Sequence, residues 1–278
     1  MNVNKASGVD PLGEVMGTLD EDVLLLNPSA EVVGELITET QFDLNGTVDL
    51  IIKKVELNRL KRYFTDASEL AQLANDGKVR VSTLAGDVQQ NVFLTESKLG
   101  SVITLDESFF IYNDEVEYES SKDELVDRYT VDGGDTIDPL ARVPSRNAVE
   151  ESLKEEFGEE FYTDFISLLE LSEDHQKNDL DEESNGRKSK HALHFTLLIT
   201  ASKHNLLLYD VGQWGENVGL LSKATVSRVK KRLEENDLLE TEPVVQPVGR
   251  PRQRLSMTEQ YDEVSDEQLV EQLGVMVD

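Results

Sequence analysis

The chain has 278 residues, enough for two domains with separate cores. It contains no cysteine, which excludes disulfides and thiolate metal sites; with no apolar run of membrane-spanning length and no leader pattern, a soluble cytoplasmic protein is expected. Its 56 acidic and 27 basic side chains give a formal charge of −29, yet residues 187–254 hold 12 basic against 7 acidic groups while residues 1–186 hold 15 against 42.

Residues 1–19 read as a loose arm with one turn of helix after Pro11. Val23 to Leu26 is a short, continuously apolar strand that ends at Asn27-Pro28-Ser29 and feeds a helix from Ala30 to Thr40. A second strand (Val48 to Lys53), a second helix (Leu57 to Asn75, with Leu60, Phe64, Leu70 and Leu73 inward) and a third strand (Val79 to Leu84) come next. This alternation predicts an α/β unit with parallel strands. Val92 to Thr95, Ser101 to Leu105 and Phe109 to Asn113 then read as strands joined by short turns, with Val116 to Tyr118 a candidate fourth. The parallel sheet is thus extended by antiparallel strands. Ser121 to Tyr129 is a short helix, and Asp132 to Asp135 marks a break. Asn27 and Ser29 lie at the carboxyl end of a parallel sheet, where α/β folds bind small ligands. The plainer reading is that they cap the next helix.

Asn147 to Leu171 is helical, with a kink at Gly158 and an apolar face through Val149, Leu153, Phe157, Phe161 and Phe165. That face serves either the packing of a first domain spanning residues 1–171 or a dimer seam. Residues 172–190 contain one aliphatic side chain in nineteen, which predicts a polar linker. Residues 191–257 form the second domain, and residues 258–278 an acidic tail with a short helix from Ser265 to Val275, through Leu269 and Leu273, that packs either on the second domain or across a dimer.

Within the second domain, helices are expected over Ala192 to Asn205 and Leu207 to Val218, with Gly219 at the turn after them. Ser222 then suits the N-cap of a third helix, whose Val226, Val229 and Leu233 recur at helical spacing. Stepping about 100° per residue from that stripe puts Ala224, Ser227, Arg228 and Lys231 on the opposite face. With Lys223 and Thr225 at its start, this face suits a DNA major groove: small residues allow close approach, and cations donate to guanine edges or phosphates. Alone, such a helix is equally a solvated surface helix. The next segment tips the balance, because Glu240 to Gln246 and Arg252 to Met257 read as a hairpin around Pro247 to Pro251. A helix leading directly into a hairpin is a winged helix-turn-helix, with Arg250 and Arg252 at the wing for a minor groove. It coincides with the one basic stretch, and local field steers a polyanion better than total charge does. Double-stranded DNA is the expected partner. A protein-interaction adaptor built on the same domain is the alternative, and the basic face argues against it.

No catalytic constellation is visible, and no cofactor or metal is expected. His191 and His194 are three residues apart but have no acidic partner at helical reach, and no glycine-rich phosphate cradle is present. Carboxylates are so frequent that no pair of them is informative. Trp214 reads as core of the second domain and not as a stacking platform.

The segment TVSRVKKRLEENDLLETEPV with Gly249-Arg250-Pro251-Arg252, preceded at the front by EDVLLLNPSAEVVGEL, resembles haloarchaeal TbsP-like winged-helix transcription regulators. These are related in role to the sugar-responsive TrmB network. The resemblance implies a homodimer, control of central carbon metabolism, and a sensor-like N-terminal domain open to a metabolite. The acid excess is similarly that of a halophile surface. A weaker resemblance links Lys78 to Asp114 to degenerate phospholipase-D-like effector modules. Of the active-site pattern of that family only Lys98 survives, with Glu96 and Ile103 at the other positions, so it implies no phosphodiester chemistry.

Overall fold

The structure is a computed structural model that describes residues 7–11, 21–39, 46–96, 98–104, 108–114, 122–130, 138–178, 185–261 and 264–277. The chain divides into two compact units, Met1–Lys61 with Asp66–Ser145, and Arg62–Thr65 with Arg146–Asp278.

The first unit is built on one mixed sheet of seven strands. These are β1 (Ser7–Pro11), β2 (Val23–Leu26), β3 (Val48–Ile52), β4 (Val79–Thr83), β5 (Val92–Leu94), β6 (Lys98–Thr104) and β7 (Ser108–Asp114), in the spatial order β1-β7-β6-β5-β2-β3-β4. β2, β3 and β4 are parallel, and the remaining pairings are antiparallel, as expected. β2 and β3 are buried at every residue, which explains their apolar character, unbroken in β2 and interrupted in β3 only by Asp49. The two-residue period splits them between two cores. Val23, Leu25, Leu50 and Ile52 pack with α1 (Ala30–Glu39), α2 (Lys54–Leu60) and α3 (Phe64–Asn75); Leu24, Leu26 and Ile51 pack with α4 (Lys122–Tyr129).

Asp49 is the charged exception on β3. Its cross-strand neighbour Arg80 grips it at 2.6 and 2.8 Å, and Lys122 at the start of α4 reaches it at 2.8 Å. Burial pushes the Asp49 carboxyl up, but hydrogen bonds from Arg80 and Lys122 outweigh burial and hold it below its ordinary value.

Two expectations need correction here. Residues 7–11 are an edge strand paired with β7, because Ser7 to Pro11 finds a free antiparallel edge that no local pattern announces. The turn after Pro11, the strand at 116–118 and the break at 132–135 lie outside the described residues. The single helix over 57–75 is two, α2 and α3: the second starts at Phe64, whose N–H donates to Glu173 at 2.6 Å, with Thr65 N–H donating at 3.2 Å. A capping carboxylate more than a hundred positions away is invisible to local reading.

The second unit contains α5 (Arg146–Phe157), α6 (Glu159–Asn178), α7 (Asn185–Lys203), α8 (Leu208–Val218), α9 (Lys223–Glu235), the hairpin β8 (Leu239–Val244) and β9 (Arg252–Met257), and α10 (Asp266–Val277). Its core joins Phe161, Phe165, Leu169, Phe195, Leu198, Trp214, Val229, Leu233, Leu255 and Leu269. α7 runs through the middle. Its Thr196, Thr200 and Ser202 are buried and return their hydroxyls to carbonyls of their own helix at 2.7–2.9 Å, so they need no outside partner.

The domain boundary therefore falls at residues 145/146 and not at 171. The helices over 146–178 pack on α7 and α8, and Gly158 breaks them outright, with φ +96. Nor is 172–190 a linker throughout. α6 continues to Asn178, α7 begins at Asn185, and Ser172 and Glu173 are buried. Aliphatic content misleads here because a carboxylate that receives two backbone N–H groups is a legitimate core residue. The tail helix takes the first of its two expected places, on the second unit: Leu269, Val270 and Leu273 of α10 are buried, and the helix packs on α6 and α7.

Candidate nucleic-acid interface

The interface is assembled by a tight turn between α8 and α9. Gly219 ends α8 in the left-handed region, φ 79, a conformation that side chains disfavour. A Cβ at Gly215 would lie 2.6 Å from the Cγ of Leu221, so the missing side chain is what lets the turn close. Ser222 then caps α9 by accepting the Thr225 N–H at 3.2 Å. Val226, Val229 and Leu233 turn inward. Lys223, Ala224, Ser227, Arg228 and Lys231 are all exposed on the opposite side, and Thr225 is half-buried. The helical phase read from the sequence matches this distribution.

The hairpin is fastened to the helices from within. β8 and β9 pair over six residues, Leu255 N–H donates to Leu206 O at 2.8 Å, and Leu207 bridges Arg254 just before α8. Gly249 in the loop has φ 100, and Val245, Val248 and Arg250 are exposed there.

The two cations expected at the wing behave differently. Among the described residues, Arg250 has no carboxylate partner. Arg252 is not at the tip: it opens β9 and turns back to α8, where it pairs with Asp210 at 3.0 Å and covers the ring of Tyr209 at 4.1 Å. On α9, Lys223 approaches the same ring at 5.7 Å and pairs with Glu216 at 3.0 Å. Tyr209, 47 % exposed, thus gathers the start of α9 and the start of β9 into one patch. Lys231 pairs with Glu235 at 3.4 Å, both exposed, whereas Arg228 has no ion pair among the described residues.

Glu216 does two jobs. It accepts the Lys223 N–H at 3.1 Å and faces the Lys223 ammonium, and these contacts hold its carboxyl below the ordinary range, the backbone N–H contributing most. Sequence reasoning does not single out Tyr209, Asp210 or Glu216. The available signal is phase: with Val211 and Trp214 buried, Tyr209 and Asp210 necessarily face outward at the start of α8.

Asn27 and Ser29, the expected ligand site of the sheet unit, are engaged by the protein itself. Asn27 is buried with φ 58, and its amide donates to Val88 O at 3.0 Å and Gln90 O at 3.4 Å. The Ser29 hydroxyl accepts the Val32 N–H at 3.4 Å at the start of α1. Lys98 lies over the ring of Tyr112 at 4.8 Å. Among the described residues no group of three acidic or histidine side chains is placed to hold a metal ion, and no helix is long and apolar enough to cross a membrane.

Residues 2–129 match a family described as "Transcriptional regulator TbsP-like, N-terminal", and residues 145–274 match "Transcriptional regulator TbsP-like, C-terminal HTH domain". No curated protein and no solved structure matches the chain.

Proposed function

The chain belongs to the TbsP-like transcriptional regulators, carrying both their N-terminal and their C-terminal HTH domains, and from that premise we propose that it is a sequence-specific regulator of the winged-helix type, reading double-stranded DNA with α9 and the β8–β9 hairpin. The observation that carries this reading is the exposed face of α9, where Arg228 and Lys231 stand beside Ala224 and Ser227 while the apolar stripe is buried. Small side chains admit the helix to the major groove, and the cations reach base edges and phosphates. Lys223, Thr225 and Arg252 flank that face, and Arg250 extends the footprint toward a minor groove. A protein-binding adaptor would not need a basic face.

The remaining parts of the reading rest on the resemblance, on composition and, for ligand sensing, on the fold type. The protein acts in the cytoplasm as a homodimer on promoters of central carbon metabolism. Its acidic remainder suits a salt-rich interior, and the sheet unit serves sensing or dimerisation and not catalysis. High salt weakens the phosphate contribution to binding, which puts more of the selectivity on base contacts.

The test is selection of bound genomic fragments, then titration of the recovered operator with and without sugar phosphates. Arg228→Ala with Lys231→Ala is expected to lose about 1–3 kcal/mol per base-reading contact. Operator affinity unchanged by that pair of substitutions would remove α9 as the reading helix. Affinity indifferent to every sugar phosphate would remove the sensing role proposed for the sheet unit.

A further inference from the structure

Four cations of the proposed DNA surface fall into two classes. Arg228 and Arg250 are exposed and, among the described residues, have no acidic partner. Arg252 and Lys223 are each held by a carboxylate of α8: Asp210 at 3.0 Å from Arg252, and Glu216 at 3.0 Å from Lys223. Both acids belong to one helix, six positions apart, and both pairs converge on the Tyr209 ring. The pairs are not deeply buried. Side-chain exposure is 36 % and 35 % for Arg252 and Asp210, and 48 % and 39 % for Lys223 and Glu216. They contribute little to folding and are open to exchange.

We infer that Asp210 and Glu216 are built-in competitors of the DNA phosphates, holding Arg252 and Lys223 in the free protein and setting the affinity and salt response of the complex. This rests on the assignment of α9 and the hairpin to DNA. A phosphate that reaches either cation must displace a carboxylate or settle beside it, and both routes oppose binding. The competition also leaves a thermodynamic signature. A free cation that neutralises a phosphate releases condensed counterions, steepening the plot of log affinity against log salt by about 0.9 for each contact. A cation that leaves its own carboxylate behind exposes a charge that takes up a cation from solution, cancelling much of that release.

The experiment compares the full-length protein with Asp210→Asn, Glu216→Gln and the double variant on an operator and on a random duplex over a range of salt. The amides retain acceptor oxygens for the guanidinium and for the Lys223 N–H, so the turn keeps its hydrogen bonds; thermal melting verifies this for each variant. The double variant is expected to bind the random duplex about tenfold more tightly at fixed salt. Its salt plot is expected to steepen by about 1–2. Adding Lys223→Ala and Arg252→Ala to the double variant is expected to abolish both effects. Weaker binding or an unmoved salt slope in a folded variant would overturn the inference, leaving the acids as positioning residues for their cations. A wild-type protein that binds no duplex at low salt would instead overturn the DNA assignment itself, and this inference with it.

Discussion

Gly215 and Gly219 are four positions apart at the end of α8 and do different work. At Gly219 the constraint is backbone conformation, since φ 79 is costly for any side chain. At Gly215 it is space, because Leu221 stands where a Cβ would go and is itself buried. Gly219→Ala meets nothing within 4 Å, so only the backbone penalty of about 1–2 kcal/mol applies. Gly215→Ala must push Leu221 out of the core and is expected to cost about 1–3 kcal/mol while tilting α9. Chemical denaturation measures the first quantity in both variants. Operator binding separates them: affinity measured below the unfolding transition is expected to survive Gly219→Ala and to fall in Gly215→Ala.

At the scale of elements, the helices outside the helix-turn-helix hold it together. Trp214 of α8 donates to Ser152 Oγ of α5 at 3.2 Å and meets Phe157 edge-on at 6.2 Å. His204, directly after α7, lies 2.8 Å from Asp164 of α6. α10 closes the assembly with three buried apolar side chains, so Leu273→Ala is expected to destabilise the second unit by about 2–5 kcal/mol, read from urea unfolding, although it lies far along the chain from α9. A loss under about 1 kcal/mol would mean that α10 is dispensable for the core.

These same elements show what the sequence could disclose. β2, β3 and α9 were legible because their periodicity is strong and their partners are generic apolar surfaces: any core will bury Val226, Val229 and Leu233. The exposed face of α9 came from the same arithmetic. The features that escaped depend on particular distant partners. Glu173 looks like linker until the N–H groups of Phe64 and Thr65 are beside it, and Arg252 looks like a wing-tip cation until Asp210 and Tyr209 are found beneath it. The β1 edge pairing and the break between α2 and α3 belong to the same class. Charge complementarity between remote residues has no period, and in a chain with 56 acidic side chains each basic group has many apparent suitors.

For the molecule as a whole, charge and chromophore are both unevenly placed. The single tryptophan of the chain is Trp214, in the core of the second unit. Its indole is buried, hydrogen-bonded and close to Phe157. Tryptophan emission is therefore a private optical channel for the helix-turn-helix unit, while the seven-stranded sheet is spectroscopically silent in it and contributes only to far-ultraviolet dichroism. A denaturant titration monitored in both channels will give coincident midpoints if the units melt as one body and separated midpoints if each holds its own stability. Leu273→Ala is expected to move the emission midpoint and the part of the dichroism change that the helices of the second unit supply; only a shift in a dichroism transition separate from the emission transition would report an effect on the sheet unit.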